Sequence, residues 1–324
     1  MGLHRFAPLL GALLLAGCAG VTRVSPPMTP LMGWTAAAAA TRPVSLGLPG
    51  GARLATNVRF AGGVEIVLDR ASSLHSLSDL KLTGGNGFIS VTDAGDLVRG
   101  RLLLRTDGQL TGVADLRFRR LTLLDGEPIL DKRDGDAEGL AVTDAGDLLV
   151  SFERDHRIWD YGPVLAPRRM SRPVRRPDFD FPLNEGMEGL SAAPGGAWRV
   201  AGESGGVWDC LPAACRVVTA LPATPASDAE YRTTGMDRDP SGDGFFIVQR
   251  SYSPPFDARA QVRRMSPAGT LGPVLIELKL PGTTDNFEGI AAVPGEGGTR
   301  LYILSDDNNN AAQRTLLLAF DVRD

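Results

Sequence analysis

The chain has 324 residues, and its 34 Lys and Arg against 38 Asp and Glu give a formal net charge of −4. This balance argues against a general nucleic-acid binder, which needs a basic surface, and the sequence contains no RNA- or DNA-binding motif. With three cysteines the chain has no four-cysteine set, and only His75 and His156 lie beyond its N-terminal segment, so a zinc site is not expected.

The first 17 residues have the pattern of a lipoprotein signal peptide. A short basic region precedes the apolar stretch Leu9 to Leu15, which is too short to span a bilayer. Leu15-Ala16-Gly17-Cys18 fits the bacterial lipobox, in which the cysteine becomes the acylated first residue. We expect lipidation at Cys18; the alternative is an ordinary signal peptide that contains a cysteine. Ala19, in place of aspartate, favours an outer-membrane lipoprotein that faces the periplasm.

Residues 18–50 are predicted to be the acylated cysteine and a flexible tether. They contain five prolines and the alanine run Ala36 to Ala40, with neither strand alternation nor a helical stripe. The alanines could form a short helix that covers nothing. Lipid and tether would hold the folded domain, residues 51–324, close to the membrane.

The domain carries a repeat of about fifty residues. Each copy opens with an acid before an apolar stretch, and a second acid ends a strand-like run fourteen to eighteen residues later. The copies start at 79, 138, 188, 234 and 288, and the fourth has lost both acids to Thr234 and Gln249. The repeated acids are Asp79, Asp93, Glu138, Glu153, Glu188, Glu203, Glu288 and Asp306.

A strand-rich repeat of this length predicts an all-β fold, a β-propeller with four short strands in each blade. Five copies indicate five blades. The C-terminal strand Thr315–Val322 would belong to the last blade, and an N-terminal strand from Arg53–Phe60 or Val64–Leu68 would complete it and close the ring without a free edge. If the N-terminal segments form their own blade, the count is six.

The repeat also locates a candidate site. The first strand of each propeller blade lines the central channel, so the opening acids and the second acids should face one mouth of it. Gly139, Gly189 and Gly289 fit a crowded start of the inner strand. Carboxylates that share a confined space need raised pKa values, arginine partners or a bound cation. The histidine-poor, oxygen-rich surroundings suit calcium, and Asn184, Asn286 and Asn308 could add neutral oxygens.

The alternative is structural. The same acids would then bond to backbone amides of the next blade, or pair with Arg154 and Arg250 after the second strands. As hydrolase residues, these two arginines would instead clamp a phosphate. An arginine-rich loop could attract phosphorylated ligands or lipid head groups, or be a solvated connection. Its arginines are Arg168, Arg169, Arg172, Arg175 and Arg176.

Three further patterns suggest local structure or chemistry. Cys210 and Cys215 are close enough in an exported chain to staple a hairpin by a disulfide. Gly202-Glu203-Ser204-Gly205-Gly206 fits the Gly-x-Ser-x-Gly pattern of serine hydrolases, but the next residues predict a strand rather than the required helix. The run from Asp306 to Asn310 resembles half a calcium loop, with a simple turn as the alternative.

Several of these stretches are similar to signatures of a known family. They are Ser78-Asp79-Leu80, Asp136-Ala137-Glu138-Gly139-Leu140, Ser151-Phe152-Glu153-Arg154, Asn184-Glu185-Gly186-Met187-Glu188-Gly189, Asp285-Asn286-Phe287-Glu288-Gly289, Ser305-Asp306-Asp307-Asn308 and Gln313-Arg314-Thr315-Leu316-Leu317. From about Arg53 onward the chain resembles the phytase-like family named for "esterase-like activity of phytase", β-propellers of exported bacterial proteins. The family usually has Glu-Arg where this chain has Gln249-Arg250, which puts a metal contact from that blade in doubt.

The resemblance implies a calcium-dependent phosphoric-ester hydrolase that acts on a small phosphate ester. By their positions in the repeat, the eight repeated acids would bind the metal, and the catalytic residues would be Glu138, Glu188, Glu288, Arg154 and Arg250. A non-catalytic propeller that binds a glycan, peptide or envelope protein is the alternative from another class. A carboxyl-ester hydrolase using Ser204 is the third hypothesis. A monomer is expected.

Overall fold

The computed structural model describes residues 33–69, 73–254 and 257–324. Within these ranges nearly all regular structure is β-strand; the exceptions are a four-residue helix, α1 (Lys132–Gly135), and a 3₁₀ turn at Pro194–Gly196. No helix in the described ranges is long and apolar enough to cross a membrane. The predicted signal peptide and Cys18 lie outside the described residues.

Most strands form antiparallel meanders, in which consecutive strands pair through short turns. A typical turn is Thr143–Gly146, where the amide of Gly146 donates to the carbonyl of Thr143 and Gly146 has a φ of 82°, which favours glycine.

The N-terminal strands are β1 (Thr35–Ala36), β2 (Ala39–Pro43), β3 (Ala52–Leu54) and β4 (Val58–Leu68). The first meander is β5 (Leu77–Gly84), β6 (Gly87–Thr92), β7 (Asp96–Leu104) and β8 (Leu110–Arg120). The second is β9 (Ala137–Val142), β10 (Asp147–Phe152), β11 (Arg157–Pro163) and β12 (Arg172–Val174). The third is β13 (Gly189–Ala193), β14 (Ala197–Ala201), β15 (Val207–Cys210) and β16 (Cys215–Thr219). The fourth is β17 (Arg232–Arg238), β18 (Phe245–Ser253), β19 (Asp257–Met265) and β20 (Leu271–Lys279), and the last is β21 (Asn286–Gly295), β22 (Gly298–Asp306) and β23 (Leu316–Arg323).

The last meander is completed from the N-terminal side of the chain. Strand β4 pairs antiparallel with β23, from Leu316 opposite Glu65 to Val322 opposite Val58. This confirms the predicted closure of the ring by an N-terminal strand. A single parallel bridge from Gly62 to Leu110 also joins β4 to β8, and β3 pairs with β20. In the described ranges the N-terminal strands therefore extend existing sheets and form no sheet of their own.

The first strand of each meander packs against the first strands of its two neighbours. The contacts run from β5 to β9, then to β13, β17 and β21, and back to β5. Each copy of the sequence repeat supplies one of these inner strands. The predicted all-β propeller architecture is confirmed.

The apolar core is divided into layers between neighbouring meanders. Successive side chains of a strand point to opposite faces, so a middle strand serves two layers. In β22, Leu301 and Ile303 pack towards the fourth meander, whereas Tyr302 and Leu304 pack towards the first. Strands buried on both faces read as nearly continuous apolar runs, as the sequence shows.

The predicted flexible tether is wrong for residues 35–43, which belong to the folded domain. Strand β1 pairs with β8, and β2 pairs with β4. Trp34 lies 4.1 Å from the guanidinium of Arg99 and 5.3 Å from that of Arg119. The alanine run forms no helix, because the open edge of β4 offers main-chain partners to its backbone. Such pairing depends on the partner's edge, so the side-chain pattern of residues 35–43 did not reveal it.

A buried ion pair ties three inner strands together. Asp79 and Lys81 of β5 are 0% and 3% exposed, and the Lys81 Nζ lies 2.7 Å from an Asp79 carboxylate oxygen. The same carboxylate accepts the amides of Leu140 in β9, at 2.8 Å, and Ile290 in β21, at 3.2 Å. Lys81 also donates to the carbonyl of Ile290 at 3.0 Å. Burial raises the pKa of Asp79 to about 6 and the Lys81 charge opposes this rise.

Four of the inner strands carry a glycine near their start, at a position that has no room for a side chain. A Cβ on Gly139 would lie 2.7 Å from the carbonyl oxygen of Glu188, and one on Gly289 would lie 3.0 Å from the Cα of Asp79. At Gly189 it would meet the Ala201 Cβ at 2.8 Å. The prediction from the Glu-Gly pairs is confirmed. The tightest position is Gly235, where the Cβ would lie 2.1 Å from the carbonyl oxygen of Glu288.

Replacing Gly235 should therefore destabilise the ring. We expect Gly235→Ala to lower the free energy of unfolding by about 2–3 kcal/mol, because the added methyl group must push two inner strands apart. Gly242→Ala is the matched control, since its Cβ would meet nothing within 4 Å; its effect should stay within about 0.5 kcal/mol. Urea unfolding measures both, and equal stability of the two variants would contradict the close packing of the inner strands at Gly235.

Removing the Lys81 ammonium group should strongly lower the stability of the fold. We expect Lys81→Met to lower the free energy of unfolding by about 3–5 kcal/mol at pH 7.5, because it leaves the Asp79 carboxylate buried without a charge partner. The loss should shrink at pH 5, where that carboxyl group accepts a proton. Lys279→Met, at a partly exposed lysine of β20, is the control. A loss below about 1 kcal/mol at pH 7.5 would show that the pair does not hold the inner strands.

Candidate functional site

Most of the repeated acids meet at one end of the channel. Every inner strand begins there and every second strand ends there, because the two run antiparallel. Glu138 and Glu288 lie near the start of β9 and β21, and Glu188 directly precedes β13. Glu153 and Glu203 lie just after the ends of β10 and β14. We call this end the acidic mouth; it consists of Asp93, Asp136, Glu138, Glu153, Glu188, Glu203, Glu288 and Asp306.

Two groups of three carboxylates within the acidic mouth are close enough to hold one cation each. Asp136, Glu138 and Glu153 each place an oxygen within 4.8 Å of the other two. Glu153, Glu188 and Glu203 do the same, so Glu153 belongs to both groups. Four of the predicted metal-binding acids are therefore brought together, and Asp136 joins them.

Two of these carboxylates are buried without a partner. Glu153 and Glu188 are 8% and 7% exposed, and within the described ranges neither side chain forms a hydrogen bond or an ion pair. A buried ionised group is normally compensated in this way. Their carboxylate oxygens are not among the fully buried unpaired atoms of the described ranges, so water or a cation can reach them.

Burial and mutual repulsion raise the pKa values of the cluster. Burial raises the pKa of Glu153 to about 8, with Asp136 and Glu203 adding to the shift. Burial also raises the pKa of Glu288 to about 7, although Arg250 opposes it. The pKa values of Glu138 and Glu188 are well above the ordinary range, first through burial and then through neighbouring carboxylates. Without a bound cation these crowded carboxyl groups therefore hold protons near neutral pH, and a cation that bound there would displace them.

The bases around the acidic mouth pair with its outer acids. Lys132 lies 2.7 Å from both Asp93 and Asp136, and Arg154 pairs with Asp136. Arg232 lies 2.9 Å from a Glu203 oxygen and 3.2 Å from Glu185. Among the residues that the structure describes, these bases leave Glu153 and Glu188 without an ion pair.

Arg250 bridges two sides of the acidic mouth at the repeat copy that has lost its acids. One guanidinium nitrogen lies 3.5 Å from Glu203 and 3.6 Å from Glu288. At this copy the Thr234 hydroxyl donates to the main-chain carbonyl of Phe287. The side-chain amide oxygen of Gln249 accepts a hydrogen bond from the side-chain amide of Gln261 at 2.9 Å. Burial alone would lower the pKa of Arg250, but Glu288, Glu188 and Glu203 raise it. It is therefore a fixed cation of the site.

Four predicted metal ligands have protein partners instead. Asp79 lies inside the channel with its carboxylate committed to Lys81 and backbone amides, so its prediction as a ligand is wrong and the structural alternative applies to it. Asp93 pairs with Lys132. Glu288 accepts from the Asn286 side chain at 2.7 Å, and Asp306 accepts the amide of Asn308 at 2.6 Å. The repeat marks equivalent positions, but the neighbouring side chains give them different roles.

The serine-hydrolase pattern is not a nucleophile elbow. Ser204 lies in the turn between β14 and β15, which are both strands. Its hydroxyl bonds to the Glu185 carboxylate and accepts from Arg232 at 3.1 Å. This arrangement lacks the strand–turn–helix geometry that the motif requires.

The remaining sequence candidates have structural roles. Cys210 and Cys215 form the predicted disulfide across the β15–β16 hairpin. In the arginine-rich loop, Arg168 lies 3.5 Å from Asp160 and Arg169 lies 3.7 Å from Glu127, which favours the solvated connection. The run from Asp306 forms a turn closed by its own side chains.

The sequence interpretation missed Asp136, Lys132, Glu185 and Arg232. Asp136 stands two positions before Glu138 and Glu185 three positions before Glu188, so both lie in stretches that resemble family signatures. Only the fold brings Lys132 and Arg232 to the acids they pair with.

The raised pKa values predict how metal-free stability depends on pH. The folded protein holds protons on Glu153 and Glu288 that the unfolded chain has released, so their contribution is fully present below roughly pH 4.5 and is lost as pH rises through 7 and 8. In a chelator, Tm should fall by several degrees from pH 6 to pH 8.5. Glu153→Gln should flatten this fall, whereas Glu296→Gln, an exposed turn residue at the other end of β21, should not. A Tm that rises over this interval in the unmodified protein would contradict the assignment.

Comparison with known proteins gives a family but no function. The Phytase-like family model, described as esterase-like activity of phytase, matches residues 72–309, which is more than half of the chain. No curated protein matches.

Solved structures match this chain with low sequence identity and TM-scores below 0.5. They include the PQQ-bound aldose sugar dehydrogenase from Streptomyces coelicolor, with 10% identity, a TM-score of 0.45 and coverage of 90% of this chain and 100% of that chain. The Myceliophteria thermophila Cps50 (Swd1) β-propeller domain has 10% identity, a TM-score of 0.41 and coverage of 88% and 100%. The calcium-binding protein regucalcin from Agrobacterium tumefaciens has 12% identity, a TM-score of 0.39 and coverage of 78% and 92%. Such distant likenesses carry no information on activity. The extent of the family match, together with the ring of meanders, shows that this chain belongs to the phytase-like family.

Proposed function

We propose that the acidic mouth binds calcium and hydrolyses phosphoric esters. The observation that carries the proposal is the pair of buried, unpartnered carboxylates, Glu153 and Glu188, that face the same space. The donor set consists of oxygens, as hard cations such as calcium prefer. Glu138 and Asp136 would complete one side of the site and Glu203 the other.

The proposed hydrolysis assigns a different role to each charged group in and around the acidic mouth. Bound calcium would polarise the phosphoryl group and lower the pKa of an attacking water. Arg250 holds a fixed positive charge next to the cluster and would stabilise the charge that develops on the phosphate oxygens. Glu288, whose pKa burial raises to about 7 in the metal-free protein, lies 3.6 Å from Arg250 and would be placed to hold a proton. Arg154 is occupied by Asp136, so it would act by neutralising that acid.

The lipobox supports a proposal for the cellular location of this activity. We propose that acylation at Cys18 anchors the protein to the outer membrane, with the domain in the periplasm. A soluble phosphate ester in that compartment would reach the acidic mouth from outside the ring.

Loss of the central carboxylates should abolish both calcium binding and turnover. In the unmodified protein, calcium at a hundredfold excess over its Kd should stabilise the fold by about 2.7 kcal/mol. The variant Glu153→Gln/Glu188→Gln should lose this shift and lower phosphate release from methyl phosphate at least a hundredfold. Glu296→Gln should keep both properties. Thermal unfolding and phosphate release, each with calcium and with a chelator, are the measurements.

Three outcomes would count against parts of the proposal. A calcium shift without turnover of any phosphate ester would favour the alternative, a propeller that binds a glycan, peptide or envelope protein. Turnover that persists in the chelator would exclude the metal-dependent mechanism. Labelling of Ser204 by a fluorophosphonate would revive the carboxyl-ester hypothesis.

A further inference from the structure

A cavity of about 540 Å³ lies beside the acidic mouth, between the fourth and last meanders. Its volume is within the range of about 300–1,000 Å³ that small-molecule sites occupy. The lining comes from β18 and β19, the start of β21 and the connection between β22 and β23. Its polar side chains include Arg250, Tyr252, Asn286, Asn308, Asn310 and Gln313.

The cavity shares a wall with the acidic mouth. Arg250 lines the cavity while its guanidinium lies 3.6 Å from Glu288. Asn286 also lines it and donates to the same Glu288 at 2.7 Å. A molecule that reacts at the acids can therefore extend past Arg250 into this space.

The polar lining is rich in side-chain amides. Asn286, Asn308, Asn310 and Gln313 each carry a planar amide, which offers donors and an acceptor at once. Within the part of the chain that the structure describes, the one bond between two of these side chains is long, 3.3 Å from the Asn308 nitrogen to the Gln313 oxygen, and it is exposed. Such groups match adjacent hydroxyls, each of which also donates and accepts.

The other charges of the lining are already paired. Arg259 makes two bonds to Asp257, at 2.8 and 2.7 Å. Asp285 lies 3.3 Å from Arg314. Arg250 is thus the charge closest to the acidic mouth, and the remainder of the lining favours an uncharged occupant.

Apolar surface completes the lining. Tyr252 and Leu280 are 42% and 54% exposed and both border the cavity. A tyrosine ring offers an apolar face together with a polar edge. Planar amides with an exposed ring suit a compact molecule that has hydroxyls on its edge and C–H groups on its face.

We propose that this cavity binds an uncharged, polyhydroxylated group, a sugar or another polyol, which is the leaving group of the ester cleaved at the acidic mouth. The second half of this statement rests on the proposed function; the binding of the polyol does not. Arg250 would orient the phosphate at the boundary, and the amides would select the hydroxylated part.

Binding is tested first, without any ester. The full chain is titrated calorimetrically with methyl α-D-glucoside and, separately, with sorbitol, which distinguishes a pyranose ring from an open polyol. Tyr252→Ala and Gln313→Ala should each weaken the bound probe at least tenfold. Gln109→Ala, at a glutamine between β7 and β8 that does not line the cavity, should bind as the unmodified protein does. Absence of saturable binding of both probes, or equal binding by all variants, would overturn the proposal.

Turnover then separates the two proposals. We expect Tyr252→Ala and Gln313→Ala to lower kcat/KM for glucose 1-phosphate at least tenfold, with less than a twofold change for methyl phosphate, which carries no hydroxylated group. Variant-sensitive glucoside binding without hydrolysis of either ester would keep the cavity assignment and remove the hydrolase. Hydrolysis of both esters with equal losses, or with none, would keep the hydrolase and remove the leaving-group assignment.

Discussion

The buried pair of Asp79 and Lys81 is the contact on which the architecture depends. It lies where water cannot solvate it, so its bonds to β9 and β21 must form for the ring to be stable. Those bonds align β5, β9 and β21 along the channel axis, so that the three strands start at the same level. Because the strands start at the same end, acids that are about fifty residues apart in sequence meet within a few ångströms. The acidic mouth is therefore a consequence of the channel below it.

The carboxyl groups of the acidic mouth repel one another when they are ionised, and this repulsion destabilises the fold. Glu138, Glu153 and Glu188 gain little from surrounding bases, which pair with the outer acids instead. A protein that needed these acids only as struts would gain more from amides, as the fourth copy shows with Gln249 bonded to Gln261. The crowded carboxyl groups at the centre are the basis of the proposed cation site, and Arg250 bounds the cluster on one side.

Features that depend on spacing were predictable from the sequence, whereas features that depend on side-chain contact were not. Regular spacing of acids and glycines was enough to place the inner strands, because a glycine stands where most neighbouring inner strands touch, as at Gly139. Spacing could not separate Asp79 from Glu138, since both occupy the same repeat position and only Lys81 distinguishes their surroundings. The strand at residues 39–43 was missed because its stability comes from the edge of β4 rather than from its own side chains.

The pairing of β4 with β23 also determines the order in which the domain can be completed. A hydrogen bond links Asn57 to Arg323, 266 residues later, so β4 lacks its partner strand β23 until nearly the whole chain has been synthesised. Contacts over such a separation form slowly, because the loop between them must first be closed. Until then β4 presents an unpaired edge next to exposed apolar surface, which is a hazard for aggregation. A nascent or C-terminally shortened chain would therefore depend on protection of β4 by other proteins, whereas the finished ring hides both strands inside one sheet.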